Sequence, residues 1–252
     1  MTIDPGWPVA LALLSLLTVA VVAYRVARLS LARDAVVAGL RAAAQLALAA
    51  AIITAVIGSL WLSALALVGM FVMAVFTTTK RIDARRSWPW AALAMACGIV
   101  PVIAILLASG TIPFEGIALI PVVGIVLGNT MTAHTLLGRR AFAALREERG
   151  QYEASLSLGL LPSQGIDEII HRRIPDALVP SLDQVRTSGV VTLPGAFIGV
   201  MLGGGSAVQA ATAQVLVLFA IMATQAITVG VEARLIRARR MLPPDLSGSL
   251  VS

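Results

Sequence analysis

Few side chains in this sequence can meet a solute or a metal, and most of them lie in apolar surroundings. Met131 and His134 are three residues apart, which puts a thioether and an imidazole on one face of a helix. Donors of that kind suit soft and borderline metals, although one pair alone does not make a site. Asn129, Thr130 and Thr132 are close by, Gln45, Thr192, Gln209, Gln214 and Gln225 add neutral polar groups to other hydrophobic stretches, and Met201 adds a second thioether. Unpaired polar groups are costly in hydrocarbon, so each either lines a path or bonds to a neighbouring helix. Asn129, Met131, His134, Met201 and Gln214 are the expected path residues. His171, beside Arg172 and Arg173, reads as solvated. No resident metal site is defined by these spacings.

Motifs for catalysis are missing. There is no G-x-x-x-x-G-K-[ST] phosphate loop, and the single lysine, Lys80, follows VFTTT without a glycine cradle. HExxH, CxxC and GxSxG are also absent. The chain is therefore expected not to be an enzyme and to carry no cofactor of its own. Its one cysteine, Cys97, cannot form an intrachain disulfide.

The elements that position these residues follow from composition. Of 252 residues, 58% are hydrophobic and 13% charged, against about 25% charged in soluble domains. This excess of apolar surface implies an all-α polytopic membrane protein surrounded by lipid. Spans of about 20 apolar residues are read at 8–24, 42–58, 60–77, 88–108, 117–137, 188–204 and 208–231, about seven in all, with a reversal at IGSLW around Gly58. MTIDPGWP lacks a basic n-region, so the first span is read as retained.

Arginines follow alternate spans: Arg25, Arg28, Arg33 and Arg41; Lys80, Arg81, Arg85 and Arg86; Arg139, Arg140, Arg146 and Arg149; Arg234, Arg237, Arg239 and Arg240. The loops between carry none, and positive residues mark the cytoplasmic side. The N-terminus is thus expected outside and the C-terminus in the cytoplasm. The net charge of +6 is explained by these clusters, with no need for a nucleic-acid partner.

Within one transmembrane domain over 1–252, residues 138–187 form the long polar interval, read as cytoplasmic. Mixed charges with interspersed apolar residues suit short helices at the membrane face, divided by Pro162, Gly165, Pro175 and Pro180. It contains EASLSLG, Glu153 to Gly159. Glu153 is expected at a helix start, where a negative side chain meets the positive dipole end. Gly159 is expected to turn the chain out of that helix or to let a partner approach closely. Further on, Gly195, Gly199 and Gly203 recur every fourth residue, as do Gly124 and Gly128. Such spacing allows close helix packing, within one subunit or across a dimer. Pro194 should kink the span that it enters.

EASLSLG resembles the Glu-Ala-Ala, three residues, Gly element of ABC-transporter permeases, a short helix that docks on an ATPase subunit. With GNTM at 128–131 and PSLDQVRTSGVVTLPGAFIGVMLGG from Pro180 to Gly204, the chain resembles the FetB (YbbM) type of permease. That family is the membrane half of a bacterial iron-export ABC system, with plant relatives associated with aluminium tolerance. Ala196, Phe197 and Ile198 stand where Met-Met-Thr often follows the family's Leu-Pro-Gly, and Pro175 lies later than in the importer element.

The resemblance implies a multi-pass permease of the bacterial plasma (inner) membrane that exports iron or another metal. It implies a homodimer in membrane lipid with two copies of a separate ATPase, which would bind the ATP and Mg. Glu153, Ala154, Ser155 and Gly159 become the coupling residues, and Pro194, Gly195, Gly199 and Gly203 the hinge or gate. The alternative reading is an ATP-independent channel or secondary transporter, which usually needs an ionisable residue at mid-membrane. None is recognised inside the spans as bounded above.

Overall fold

A computed structural model describes residues 6–56 and 58–250. It divides into two compact units, Met1–Gly58 and Ser59–Ser252. In the first unit, α1 (Trp7–Val26) and α2 (Ala32–Val56) pack on each other through a turn in which Arg28 takes φ 54°. α1 is apolar on every side and buries no residue within the chain, as expected of a helix whose solvent is lipid. Its hydroxyls return to its own backbone, Thr18 Oγ1 donating to the Leu14 carbonyl at 2.7 Å. α2 begins at Ala32 rather than 42, so Arg33, Asp34 and Arg41 belong to the helix and not to a loop. Ile57, within the expected reversal, and the N-terminal MTIDP lie outside the described residues.

The second unit contains α3 (Leu60–Arg81), α4 (Trp88–Ala108), α5 (Gly116–Glu147), α6 (Arg149–Ser157), α7 (Pro162–Ile170), α8 (Val179–Thr187), α9 (Gly195–Leu202), α10 (Ala207–Arg237) and α11 (Pro244–Ser249). Ser59 caps α3 by accepting from the Leu62 amide. Counting both units, six helices among the described residues are long and apolar enough to cross a membrane: α1 to α5 and α10. The only β pairing among them is an isolated bridge between Ser188 and Thr192.

Cross-contacts fix the helix directions. Met70 meets Gly124 and Ile82 meets Gly138, so α3 and α5 run parallel. Gln225 bonds to Asn129 while Glu232 faces His134, so α5 and α10 are parallel too. Gly98 faces Thr224 and Thr228, and Ser87 bonds to Leu242, so α4 runs antiparallel to α10. Because α5 and α10 are parallel, the chain must return between them.

The return was expected as one span over 188–204, but only α9, of 8 residues, is helical there. Eight residues rise about 12 Å, well short of the ~30 Å hydrocarbon core. A tight turn precedes it, closed by the Gly189 amide bonding to the Thr192 carbonyl at 2.8 Å, with Gly189 at φ 86°. Pro194 therefore does not kink a long helix. It stands at the N-cap of a short one, because a proline disfavours the helical region for the residue before it.

α5 and α10 have 32 and 31 residues, or about 46–48 Å each at 1.5 Å per residue, more than hydrocarbon requires. Both continue past their apolar stretches into the basic residues at their C-terminal ends. Trp90 there carries the Arg240 guanidinium 4.8 Å above its ring, as suits a membrane interface.

α4 and α10 approach closely at Gly98. A Cβ there would strike the Thr228 hydroxyl and lie 2.6 Å from the Thr224 carbonyl. Backbone cannot yield as a flexible side chain can, so Gly98→Ala is expected to destabilise the bundle by about 1–3 kcal/mol. Thermal unfolding of the detergent-purified chain checks this; an unchanged midpoint would mean that the helices can move apart freely.

At the basic end the extended helices support a compact apolar core. Leu145 and Phe142 of α5 are buried with Ile166, Ile169 and Ile170 of α7 and with Met241, Leu246 and Leu250 of the C-terminal segment. Tyr152 of α6 donates to the Leu250 carbonyl at 3.0 Å, and its burial raises its pKa. Arg146 forms a fork on Asp245 at 2.7 and 3.2 Å and holds that carboxyl below the usual range. The sign follows from the depressed value: this clasp is complete above the usual carboxylate pKa and is lost as pH falls through the lowered one.

Candidate functional site

The interior between α3, α5 and α10 is polar where the spans meet the basic collar. Arg139 of α5 donates to the Arg81 carbonyl at the end of α3 at 3.2 Å, which sets the level of that collar. About one turn inside it lies His134, fully buried, with Nδ1 3.0 Å from Thr78 Oγ1. Thr78 is in turn 2.8 Å from Thr135 Oγ1, and Thr135 donates to the Met131 carbonyl at 2.7 Å. From α10, Glu232 brings a fully buried carboxylate 3.7 Å from His134 Nδ1. Neither Glu232 oxygen accepts a hydrogen bond, and His134 Nε2 and Thr228 Oγ1 have no hydrogen-bond partner. Gly138, one turn after His134, keeps room for this carboxylate: a Cβ there would lie 3.3 Å from Glu232 Oε1.

A second feature lies at the basic end of the bundle. α6 and α7 form a hairpin that crosses where Gly165 faces Ser155 and the Tyr152 ring. Gly159, at φ 89°, ends α6: its amide bonds to the Leu156 carbonyl, and the Leu160 amide to that of Ser155. This is the left-handed glycine stop expected from the sequence. Gly159→Ala is expected to cost about 1 kcal/mol through that left-handed conformation, read as a lower melting midpoint. An unchanged midpoint would mean that the hairpin turn tolerates a Cβ.

Glu153, in contrast, is not at a helix start. α6 begins at Arg149, and Glu153 pairs with that arginine at 2.9 Å in mid-helix. Ala154 is exposed, whereas Ser155 is buried and donates to the Tyr152 carbonyl at 2.6 Å. The hairpin tip presents Leu158, 82% exposed, and Leu161, 62% exposed, two large apolar side chains that the sequence reading passed over. Asp167 and Arg237, 2.6 Å apart, tie the hairpin to α10; Arg173 and Glu148, at 3.0 Å, tie the following turn to the end of α5. The hairpin is thus fixed to both long helices.

A family model described as the uncharacterised protein family UPF0014 matches residues 7–241. The chain belongs to the UPF0014 family. A UPF0014 membrane protein of Synechocystis sp. is 31% identical over 70% of this chain and 71% of its own length. The probable iron export permease protein FetB of Escherichia coli K12 is 32% identical over 54% of this chain and 52% of that protein. Protein ALUMINUM SENSITIVE 3 of Arabidopsis thaliana is 29% identical over 51% of this chain and 47% of that protein. The matches to the last two cover about half of each chain. No solved structure matches.

The other expected path residues of this UPF0014 protein do not all converge. Gln225 donates to the Asn129 carbonyl at 2.9 Å, while the Asn129 side chain returns to Ile125. Met131 is half-buried in the core beside the His134 cluster. Gln214 is buried further along α10, its Oε1 without a partner. Met201 is on the exposed side of α9, which packs on α10 and does not join the cluster. Gly195 and Gly199 meet nothing within 4 Å of a built Cβ among the described residues, so no close helix contact is built on this pair in the second unit. Gly203 meets only the carbonyls of α9 itself. Glu232 and Thr78 went unnoticed in the sequence: the spans were ended at 231 and 77, just before each of them. Among the described residues no three His, Cys, Asp or Glu side chains gather as a metal centre.

Proposed function

We propose that the chain is the membrane-spanning permease subunit of an ABC-type exporter of iron or a similar metal, driven by a separate ATPase. The observation that carries this is the α6–α7 hairpin, which offers Leu158 and Leu161 at its tip and is fixed by ion pairs to α5 and α10. A permease needs such an element: a compact knob for the ATPase to grip, joined rigidly to helices that line the membrane interior. The cargo rests on the relative named as a probable iron export permease. On this reading the basic ends face the cytoplasm and the N-terminus lies outside, in the bacterial plasma membrane. α8, the turn at Gly189 and α9 together make the return crossing as a broken span, tolerated where protein or a cavity satisfies the backbone.

Two copies would enclose the path that one copy, with a packed interior, does not. ATP and Mg bind the two ATPase partners; their closure pushes the hairpins, and α5 and α10 carry the movement to the Pro194–Gly203 segment. The test is co-expression with the candidate ATPase followed by purification of this chain. A stable complex whose ATP hydrolysis rises with metal is expected. If this chain always purifies alone and moves metal without ATP, the reading fails.

The buried Glu232 favours a second reading, a cation-coupled secondary transporter, since ionisable residues inside spans often serve such coupling. Transport in vesicles without any ATPase, driven by a proton gradient, would select it.

A further inference from the structure

We propose that the turn between α3 and α4 binds an anionic phospholipid, with its phosphate on Lys80, Arg85 and Arg86 and an acyl chain along the rings of Phe76 and Trp88. The turn is firmly held. Ile82 and Ala84 are buried, the Ala84 amide bonds to the Thr79 carbonyl at 3.0 Å, and Ser87 donates to the Leu242 carbonyl at 3.3 Å. Around these anchors Arg81, Asp83, Arg85 and Arg86 are exposed. Lys80, also exposed, stands one turn beyond Phe76 on the same face of α3.

Charge balance separates this turn from the rest of the basic end. Among the described residues the arginines with a carboxylate partner are Arg146, Arg149, Arg172, Arg173, Arg186 and Arg237, all at or after the end of α5. Lys80, Arg81, Arg85 and Arg86 are not among them. Asp83 is the acidic side chain of their own turn, and its field falls on Arg146. Cations held at one level and uncompensated by the chain attract an anion from outside, as basic clusters beside spans attract acidic headgroups. A free phosphate shares that chemistry, and the aromatic pair decides for the lipid. Phe76 and Trp88, both about half exposed, bridge α3 and α4 just inside the charges with ring centroids 5.9 Å apart. Tryptophan suits the headgroup level, and Trp90 under Arg240 marks that level in the same first turn of α4. Val72 of α3 and Leu93 of α4 are exposed further in. Apolar surface therefore continues from the rings in the direction that an acyl chain takes.

The site is tested on the full chain in detergent with phosphatidylglycerol, phosphatidylcholine or glycerol phosphate, read by native mass spectrometry and thermal unfolding. Wild type should retain phosphatidylglycerol and melt higher with it, and should do neither with the other two. Arg85→Gln with Arg86→Gln should weaken retention about tenfold or more. The charge-matched control, Arg172→Gln with Arg186→Gln, removes arginines that already have carboxylate partners and should leave retention unchanged. Trp88→Ser should weaken it as well. All these side chains are exposed, so the variants should fold, and their lipid-free melting midpoints check that. Equal loss in the two arginine pairs, undiminished retention in Trp88→Ser, or glycerol phosphate bound as tightly as the lipid would each overturn the site. So would wild type that retains no phosphatidylglycerol; a dimer that persists in detergent would then name a second copy as the cover of this face.

Discussion

Replacing Leu158 and Leu161 together with aspartate is expected to free the ATPase from the permease while leaving the permease folded. Both side chains project from the hairpin tip with most of their surface exposed, so their loss removes nothing from the core. Burying a leucine at an interface is worth about 1.5–3 kcal/mol, and each 1.4 kcal/mol is tenfold in affinity. Losing two such contacts should weaken assembly by roughly a hundredfold or more. Pull-down of the ATPase with the tagged double variant measures this, with the melting midpoint as the control. Undiminished recovery of ATPase would show that the partner docks elsewhere and that the hairpin is an ordinary surface element.

The second large effect is expected at the tie between hairpin and membrane. Asp167→Arg sets a second guanidinium against Arg237 where an ion pair now spans 2.6 Å. The complex should still assemble and hydrolyse ATP, because the leucine tip is untouched, but transport should fall tenfold or more as the push on α10 is lost. The exchange Asp167→Arg with Arg237→Asp restores opposite charges and should recover most of the transport. Recovery isolates the pair from the side effects of either single change. Equal loss in the single and the exchanged proteins would mean that the pair does not carry the movement.

Much of this organisation is legible in the sequence because lipid imposes a simple rule: long apolar helices, with arginines clustered at their ends. Family membership was legible from GNTM, EASLSLG and the segment from Pro180 to Gly204. Hydropathy served less well at helix ends. α5 and α10 continue past their apolar stretches to Glu147 and Arg237, so a span ended at 231 leaves Glu232 looking like a loop residue beside Arg234. Its burial depends on His134, Gly138 and Thr78 from two other helices, which no local pattern reveals. The expected span at 188–204 failed for a local reason: a left-handed Gly189 and Pro194 bracket a β-branched run that folds as a turn.

The glycines teach a related lesson. Regular spacing drew attention to Gly195, Gly199 and Gly203, yet the glycine that a long helix packs against most tightly is the isolated Gly98, whose partners Thr224 and Thr228 are far away in sequence. Gly159 was legible because a helix stop is a local event. The tip leucines were not, since exposure in the folded hairpin is what distinguishes them from the other leucines of the chain.

The most direct test is metal uptake into inside-out membrane vesicles that contain this chain with its ATPase. Iron(II) should accumulate only when both chains and ATP are present, and the Leu158 and Leu161 double variant should abolish uptake. Uptake by this chain alone without ATP, or none in the complete and ATP-hydrolysing complex, would contradict a metal-exporting ABC permease.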